Sequence, residues 1–246
     1  MSLASDQVTA VVLAGGFGTR IKHLLGDLPK PMVQVNGRPF VEWVVRYLAQ
    51  QKIHRVILST GYLAETVERH FRLQPVAGVT VSCVPETTPL GTAGGFRNAV
   101  AASGAKPAAW LVLNGDSLAL APLEIIWRAL DEPVVAGAIL AVPMVDAARY
   151  GTVLQDEHGD LMGFLEKRPR AGNINAGVYL LRAAALEFFP DRQPLSFETD
   201  VFPALIHRPA RVKACVTDAP FLDIGTPESL PQAPAFVKQH QQYFAV

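Results

Sequence analysis

The sequence predicts an α/β fold on a mostly parallel sheet. Three observations carry that expectation: β-rich apolar runs alternate with helical patterns in the first half, 50% of the residues are hydrophobic, and 246 residues suffice for a large core. Thr9 to Leu13, Arg55 to Ser59, Val79 to Val84 and Ala109 to Leu113 read as strands separated by amphipathic stretches, the pattern of βαβ units. Between the first two, Phe40, Val41, Val44, Val45 and Leu48 recur at the spacing of one helical face, with Pro39 where a first-turn proline is tolerated. This helix is expected to pack on the sheet. The run from Val134 to Met144 is the most apolar in the chain, yet it is about half the ~20 residues a spanning helix needs, so it reads as a buried strand. Thr152 to Leu154 and Leu161 to Phe164 flank the polar segment Asp156 to Asp160 as a hairpin, a small β-rich insertion. Ala176 to Leu181 and Arg211 to Val216 read as further strands. Glu198 to Ile206 and Pro227 to Lys238 read as helices, the former kinked by Pro203. Without an internal repeat or a long linker, a single domain over residues 1–246 is expected.

Composition narrows the function classes. Equal numbers of acidic and basic residues, 22 of each, give no electrostatic footprint of a nucleic-acid binder. Positive charge for an anionic ligand must therefore be concentrated locally. The first residues lack a basic segment followed by an apolar one, so a secretion signal is not expected and a cytoplasmic location is. Cys83 and Cys215 stand far apart within strand patterns, without metal-ligand spacing, and are expected to be buried free thiols.

The stretch Val11 to Arg20 runs a buried-strand pattern straight into a glycine-rich turn. Gly15, Gly16 and Gly18 lack Cβ atoms, so their backbone can adopt positive φ and bring N–H groups close to a polyphosphate. Arg20, and Lys30 within Leu28 to Met32, then supply full positive charges. A dinucleotide fingerprint fails because Ile21 stands where its third glycine belongs, and no Gly-Lys-Ser/Thr follows to make a P-loop. Asp116 ends the apolar strand pattern Leu111 to Asp116, and Asp223 stands in Phe221 to Pro227. Ligands of an open parallel sheet collect at the carboxyl ends of its strands, where both carboxylates can meet. Two aspartates without histidine or cysteine match the oxygen chemistry of Mg²⁺. Taken singly, either is as readily a helix cap or a turn residue; with the glycine-rich loop, metal binding is the better reading.

The segments Leu13 to Arg20, Pro29 to Pro31, Pro89 to Gly94, Asn114 to Asp116, Glu166-Lys167, Asn175 to Gly177 and Asp223 to Glu228 occur in an order that resembles the sugar-phosphate nucleotidyltransferase family, over nearly the whole chain. The resemblance implies a Rossmann-like, three-layer nucleotidyltransferase fold, with a nucleotide-binding half (8–145), a sugar-phosphate half (146–226) and a C-terminal helix (227–246). It implies Arg20, Lys30, Asp116 and Asp223 as catalytic residues, the two aspartates holding Mg²⁺. Leu13, Ala14, Gly15, Gly16, Gly18, Thr19, Gly91, Thr92 and Asn114 would contact the nucleoside triphosphate. Gly151, Glu166, Lys167 and Asn175 would contact the sugar 1-phosphate, although Glu166 and Lys167 also read as a solvated strand end and Asn175 as a turn residue before a strand. Glu86 and Thr92 are candidates to meet the base, but Glu86, beside Thr87 and Thr88, reads better as a solvated loop.

The Leu28 to Met32 and Pro89 to Gly94 segments look most like D-glycero-α-D-manno-heptose 1-phosphate guanylyltransferases, followed by N-acetylmuramic acid 1-phosphate uridylyltransferases. This implies GTP as donor and a GDP-heptose product for capsule, surface-layer or lipopolysaccharide glycans. The chain departs from many members in placing Ile21 to Leu28 where Pro-Leu-Thr is usual, which leaves the role of Lys22 and His23 open. It ends soon after the Asp223 motif, so the C-terminal β-helix acyltransferase domain of some relatives is not expected. A sensor that has lost its chemistry would not need the full set Arg20, Lys30, Asp116 and Asp223. A nicotinamide-dependent oxidoreductase is disfavoured by Ile21 and by Ser59-Thr60-Gly61, which stands where an acidic residue should end the second strand. The groups Ile125–Trp127–Leu130 and Trp43–Tyr47 offer either a homodimer surface or core-facing helix sides, the commoner use of such residues.

Overall fold

The computed structural model describes residues 3–16, 21–25, 28–165 and 171–246. Among the described residues thirteen strands are formed: β1 (Val8–Ala14), β2 (Gln34–Val35), β3 (Arg38–Pro39), β4 (Arg55–Thr60), β5 (Thr80–Pro85), β6 (Ala109–Asn114), β7 (Ser117–Ala119), β8 (Val135–Met144), β9 (Thr152–Gln155), β10 (Leu161–Leu165), β11 (Gly172–Arg182), β12 (Arg211–Val216) and β13 (Phe221–Asp223). The α-helices are α1 (Lys22–Leu25), α2 (Phe40–Gln50), α3 (Ala64–Leu73), α4 (Thr92–Ser103), α5 (Glu124–Trp127), α6 (Phe202–Ile206) and α7 (Ala233–Gln239). Among the described residues no helix is long and apolar enough to cross a membrane.

The mostly parallel central sheet runs β10–β9–β11–β6–β1–β4–β5, with β8 pairing β11 and β12. β5, β4, β1 and β6 are parallel neighbours, whereas β11 runs antiparallel to both β6 and β8. Strand periodicity sends successive side chains to opposite faces. Val8, Ala10 and Val12 therefore join the core under α2 and α3, while Val11 and Ile57 join the one under α4 and α6. The helices thus cover both faces, which makes three layers.

α2 buries Phe40, Val41, Val44, Val45 and Leu48, as their spacing predicts. Tyr47 is buried with its hydroxyl donating to the Ala121 carbonyl, and Trp43 packs edge-on to Phe244. Ile126 and Leu130 are buried too. Trp43, Ile125 and Trp127 are partly buried against the same core.

Several local expectations are corrected. Pro39 precedes α2 as its N-cap, with ψ 143° and a partner in β2, so it lies outside the first turn. Glu198 to Ile206 is helical as expected, but in two parts: a π-turn (Phe197–Val201) runs directly into α6, with Pro203 in the first turn of α6. The last α-helix begins only at Ala233, preceded by a 3₁₀ turn (Leu230–Gln232) and by the turn in which Thr226 and Ser229 hydrogen-bond one another. Cys83 and Cys215 are half-buried, and burial pushes each thiol up to about 11.

Candidate active site

The ends of β1 and β6 are locked side by side. Leu13 pairs with Asn114, and the Gly115 N–H donates to the Leu13 carbonyl at 2.9 Å. A Cβ on Gly115 would lie 2.8 Å from that same oxygen, so only glycine allows this approach. The turn sets Asp116 at the sheet edge. β13 then pairs antiparallel with β7, putting Asp223 opposite Ser117, while the Ile224 N–H donates to the Asp116 carbonyl. Two aspartates remote in sequence are thereby joined through adjacent backbone.

Lys30 lies in a 3₁₀ turn opened by Pro29 and is 6% exposed. Its Nζ donates to Asp116 Oδ2 at 2.5 Å. A Cβ on Gly225 would lie 3.2 Å from Lys30 Nζ and 2.7 Å from Asp223 Oδ1, so the ammonium and both carboxylates share one crowded corner. Burial, and next the Asp116 carboxylate, push the Asp223 carboxyl above its usual range; the Gly225 N–H, Lys30 and Arg149 pull it back. Burial and like charge together favour a cation here. Two carboxylates and no nitrogen or sulfur donor suit a hard ion that keeps water and phosphate oxygens as its other ligands.

A cavity of about 330 Å³ opens beside this corner, lined by Leu13, Ala14, Gly15, Gly16, Lys30, Gly91, Thr92, Asn114 and Asp116 among others. The structure therefore brings together the described members of the expected nucleotide set. Gly18, Thr19 and Arg20 lie outside the described residues, as do Glu166 and Lys167. The reason for glycine differs from the expected one. Neither Gly15 nor Gly16 has positive φ. Gly15 instead makes room for Glu86, whose Oε1 would lie 2.7 Å from a Cβ, while Gly16 borders open space. Positive φ is required at Gly91, where a Cβ would also meet the Leu195 carbonyl at 2.5 Å.

Glu86 is not a solvated loop residue. It lines the cavity, accepts from Ser59 Oγ at 2.9 Å and is packed against Gly15 and Gly95. The sequence carries no local sign of this, because Thr87 and Thr88 make the segment look polar and exposed.

A second, more open cavity of about 820 Å³ is lined by Asn114, Arg149, Tyr150, Gly151, Phe164, Leu165, Asn175, Glu198, Thr199 and Pro203. Gly151 and Asn175 are thus found together, and Asn114 borders both cavities. Asn175 lies within β11, not in a turn before it. Its Nδ2 donates to the Tyr179 hydroxyl at 2.9 Å and its Oδ1 accepts from the Gly177 N–H. β11 bulges between Asn175 and Tyr179, with Gly177 at φ +70° packed against Asn114. Sequence reasoning missed Arg149 and Glu198. The adjacency of Arg149 and Tyr150 to Gly151 was the one available signal for the first; Glu198 gave none.

The nucleotidyl transferase family model matches residues 9–240. D-glycero-α-D-manno-heptose 1-phosphate guanylyltransferase of Campylobacter jejuni is 35% identical over 220 residues, covering 89% of this chain and 95% of its own. Mannose-1-phosphate guanylyltransferase of Mycobacterium tuberculosis is 34% identical, covering 92% of this chain and 63% of its own. The crystal structure of HddC from Yersinia pseudotuberculosis complexed with GMP-PN superposes with a TM-score of 0.79 at 32% identity, over 92% of this chain and 98% of that one.

Proposed function

The chain belongs to the nucleotidyl transferase family, and from that premise we propose that it joins GTP to D-glycero-α-D-manno-heptose 1-phosphate, forming GDP-heptose and pyrophosphate. It is a sugar-1-phosphate nucleotidyltransferase. The observation that carries the reading is the corner of Asp116, Asp223 and Lys30, placed where a glycine-lined cavity meets a second, polar one through Asn114. The guanine and heptose choices rest on the names of the heptose guanylyltransferases from Campylobacter jejuni and Aneurinibacillus thermoaerophilus and on the GMP-PN complex of HddC.

An oxygen of the sugar phosphate attacks the α-phosphorus of GTP; the new P–O bond forms as the bond to the β-phosphate oxygen breaks, and pyrophosphate leaves. The nucleophile is already an anion, so no general base is required. The barrier lies in bringing two polyanions together, which positioning and charge neutralisation address. Asp116 and Asp223 would hold Mg²⁺, which when bound would neutralise the converging phosphates. Lys30 supplies fixed positive charge at the same corner; Arg20 is assigned to the departing pyrophosphate by family resemblance alone. Asn114 and the Gly91–Thr92 backbone position the nucleotide. Gly151, Asn175, Glu166 and Lys167 position the sugar phosphate. The proposed compartment is the cytoplasm.

Pyrophosphate release with Mg²⁺ is measured by crossing GTP, UTP, dTTP, CTP and ATP with heptose, mannose, glucose and N-acetylmuramic acid 1-phosphates. GTP with heptose 1-phosphate is expected to give the highest kcat/KM, and Asp116→Asn to lower kcat by roughly 10³-fold. A different productive pair replaces the substrates, with mannose 1-phosphate favoured next by the Mycobacterium tuberculosis relative. Silence across the grid from folded, nucleotide-binding protein overturns the catalytic reading in favour of a sensor.

A further inference from the structure

We propose that Arg149 is the guanidinium that receives the phosphate of the sugar 1-phosphate, an assignment that rests on the transfer reaction above. That phosphate must reach the Asp116–Asp223 corner from the second cavity, carrying negative charge towards two carboxylates. A cation has to accompany it. Among the described residues lining the second cavity, Arg149 is the only one with a positive charge. Lys30 borders the first cavity instead and is already bound to Asp116.

Arg149 joins the two places that the phosphate must join. It lines the cavity, and its Nη2 lies 3.7 Å from Asp223 Oδ1. The same Nη2 is 3.4 Å from Ser229 Oγ, and the guanidinium sits over the Tyr150 ring at 5.5 Å from its centroid. Both polar contacts are longer than the ~2.7–2.9 Å of a strong charged hydrogen bond. They orient the group without saturating its donors. With the side chain 43% exposed, the guanidinium can turn towards an incoming anion without leaving a buried charge behind. Its planar fork matches two phosphate oxygens at once, which an ammonium does not. Asn175 and Glu198 line the same cavity and offer hydrogen-bonding groups of the kind that bind sugar hydroxyls. Arg149, beside Asp223, thus marks the phosphate end of the site. Lys167 is placed on the same phosphate by family resemblance alone, so a partial loss is expected when Arg149 is removed.

The test is calorimetric binding, with Mg²⁺, of heptose 1-phosphate and mannose 1-phosphate against the corresponding unphosphorylated sugars. In the native protein the phosphorylated form should bind more tightly. In Arg149→Met that preference should fall by about 10- to 100-fold, the scale of a hydrogen bond to a charged group. Arg149→Lys should fall in between, and GTP affinity and melting temperature should be unchanged in both. A preference retained in Arg149→Met overturns the assignment, as does an equal loss of GTP binding, which would mean that Arg149 acts through Asp223. No preference for the phosphorylated form in the native protein overturns it as well. Arg149-dependent binding without pyrophosphate release would instead sink the transfer reaction and leave the phosphate site standing.

Discussion

Glu42 shows what the chain does with a carboxylate that is not part of the chemistry. It lies on α2 with 3% of its side chain exposed, and accepts from Arg38 at 2.5 Å, Arg46 at 2.8 Å and His70 Nε2 at 2.9 Å. Burial alone would raise its carboxyl, but the hydrogen bonds of Arg46, His70 and Arg38 outweigh that and hold it below the ordinary glutamate range. Asp223 is pushed the other way, first by burial and then by the Asp116 carboxylate beside it. The contrast separates a carboxylate held by three nitrogen partners from one buried beside a like charge. For Glu42 the folded value lies below the unfolded one, so its contribution is present above the unfolded value of ~4.3 and is lost as pH falls through the folded value. Glu42→Gln should therefore destabilise the protein by about 2 kcal/mol at pH 7, discounted for the partly exposed arginines. In urea unfolding the difference from the native protein should shrink as the pH drops below about 4. A difference that stays constant with pH would assign Glu42 a packing role.

At the scale of elements, β11 couples the two cavities. Its first residues pair with β8 and β9, its later ones with β6 and β8, and the change of register falls at Asn175, Ala176 and Gly177. The bulge leaves Asn175 on the second cavity while Gly177 backs Asn114, which lines both. Gly177→Ala meets two obstacles at once: φ of +70°, and a Cβ that would collide with Asn114 Nδ2. It is expected to lose at least about 1 kcal/mol of stability. Because Asn114 must shift, kcat/KM should fall by more than about tenfold, the sensitivity expected where positioning carries catalysis. Stability loss with unchanged kcat/KM would show that Asn114 has no positioning role. The motif containing Asn175 and Gly177 was visible in the sequence as a family signature. Its reason was not, because the bulge depends on three neighbouring strands.

Over the whole molecule, a single sheet passes through both the 8–145 and the 146–226 segments. β11 inserts between β6 and β8, and β12 extends β8 on its other side. Without β11 and β12, β8 would have neither partner and β6 would lose one neighbour, each exposing backbone donors and acceptors. A fragment of residues 8–145 is therefore expected not to fold, seen as absence of protected amides in hydrogen exchange; a protected fragment would show two autonomous units. The sequence by itself determined the alternating α/β order, the strands β1, β4, β5, β6, β8 and β12, the hydrophobic face of α2 and the set of glycines and aspartates at strand ends. These follow from local periodicity and from residues whose backbone or charge has few other uses. Only the tertiary structure decided that Lys30 meets Asp116, that Glu86 faces the cavity, that Arg149 stands between the second cavity and Asp223, and that Asn175 lies inside a bulged strand. Each of those depends on a partner remote in the chain, and the energy that fixes a side chain there comes from burial and pairing that exist only once the sheet has assembled.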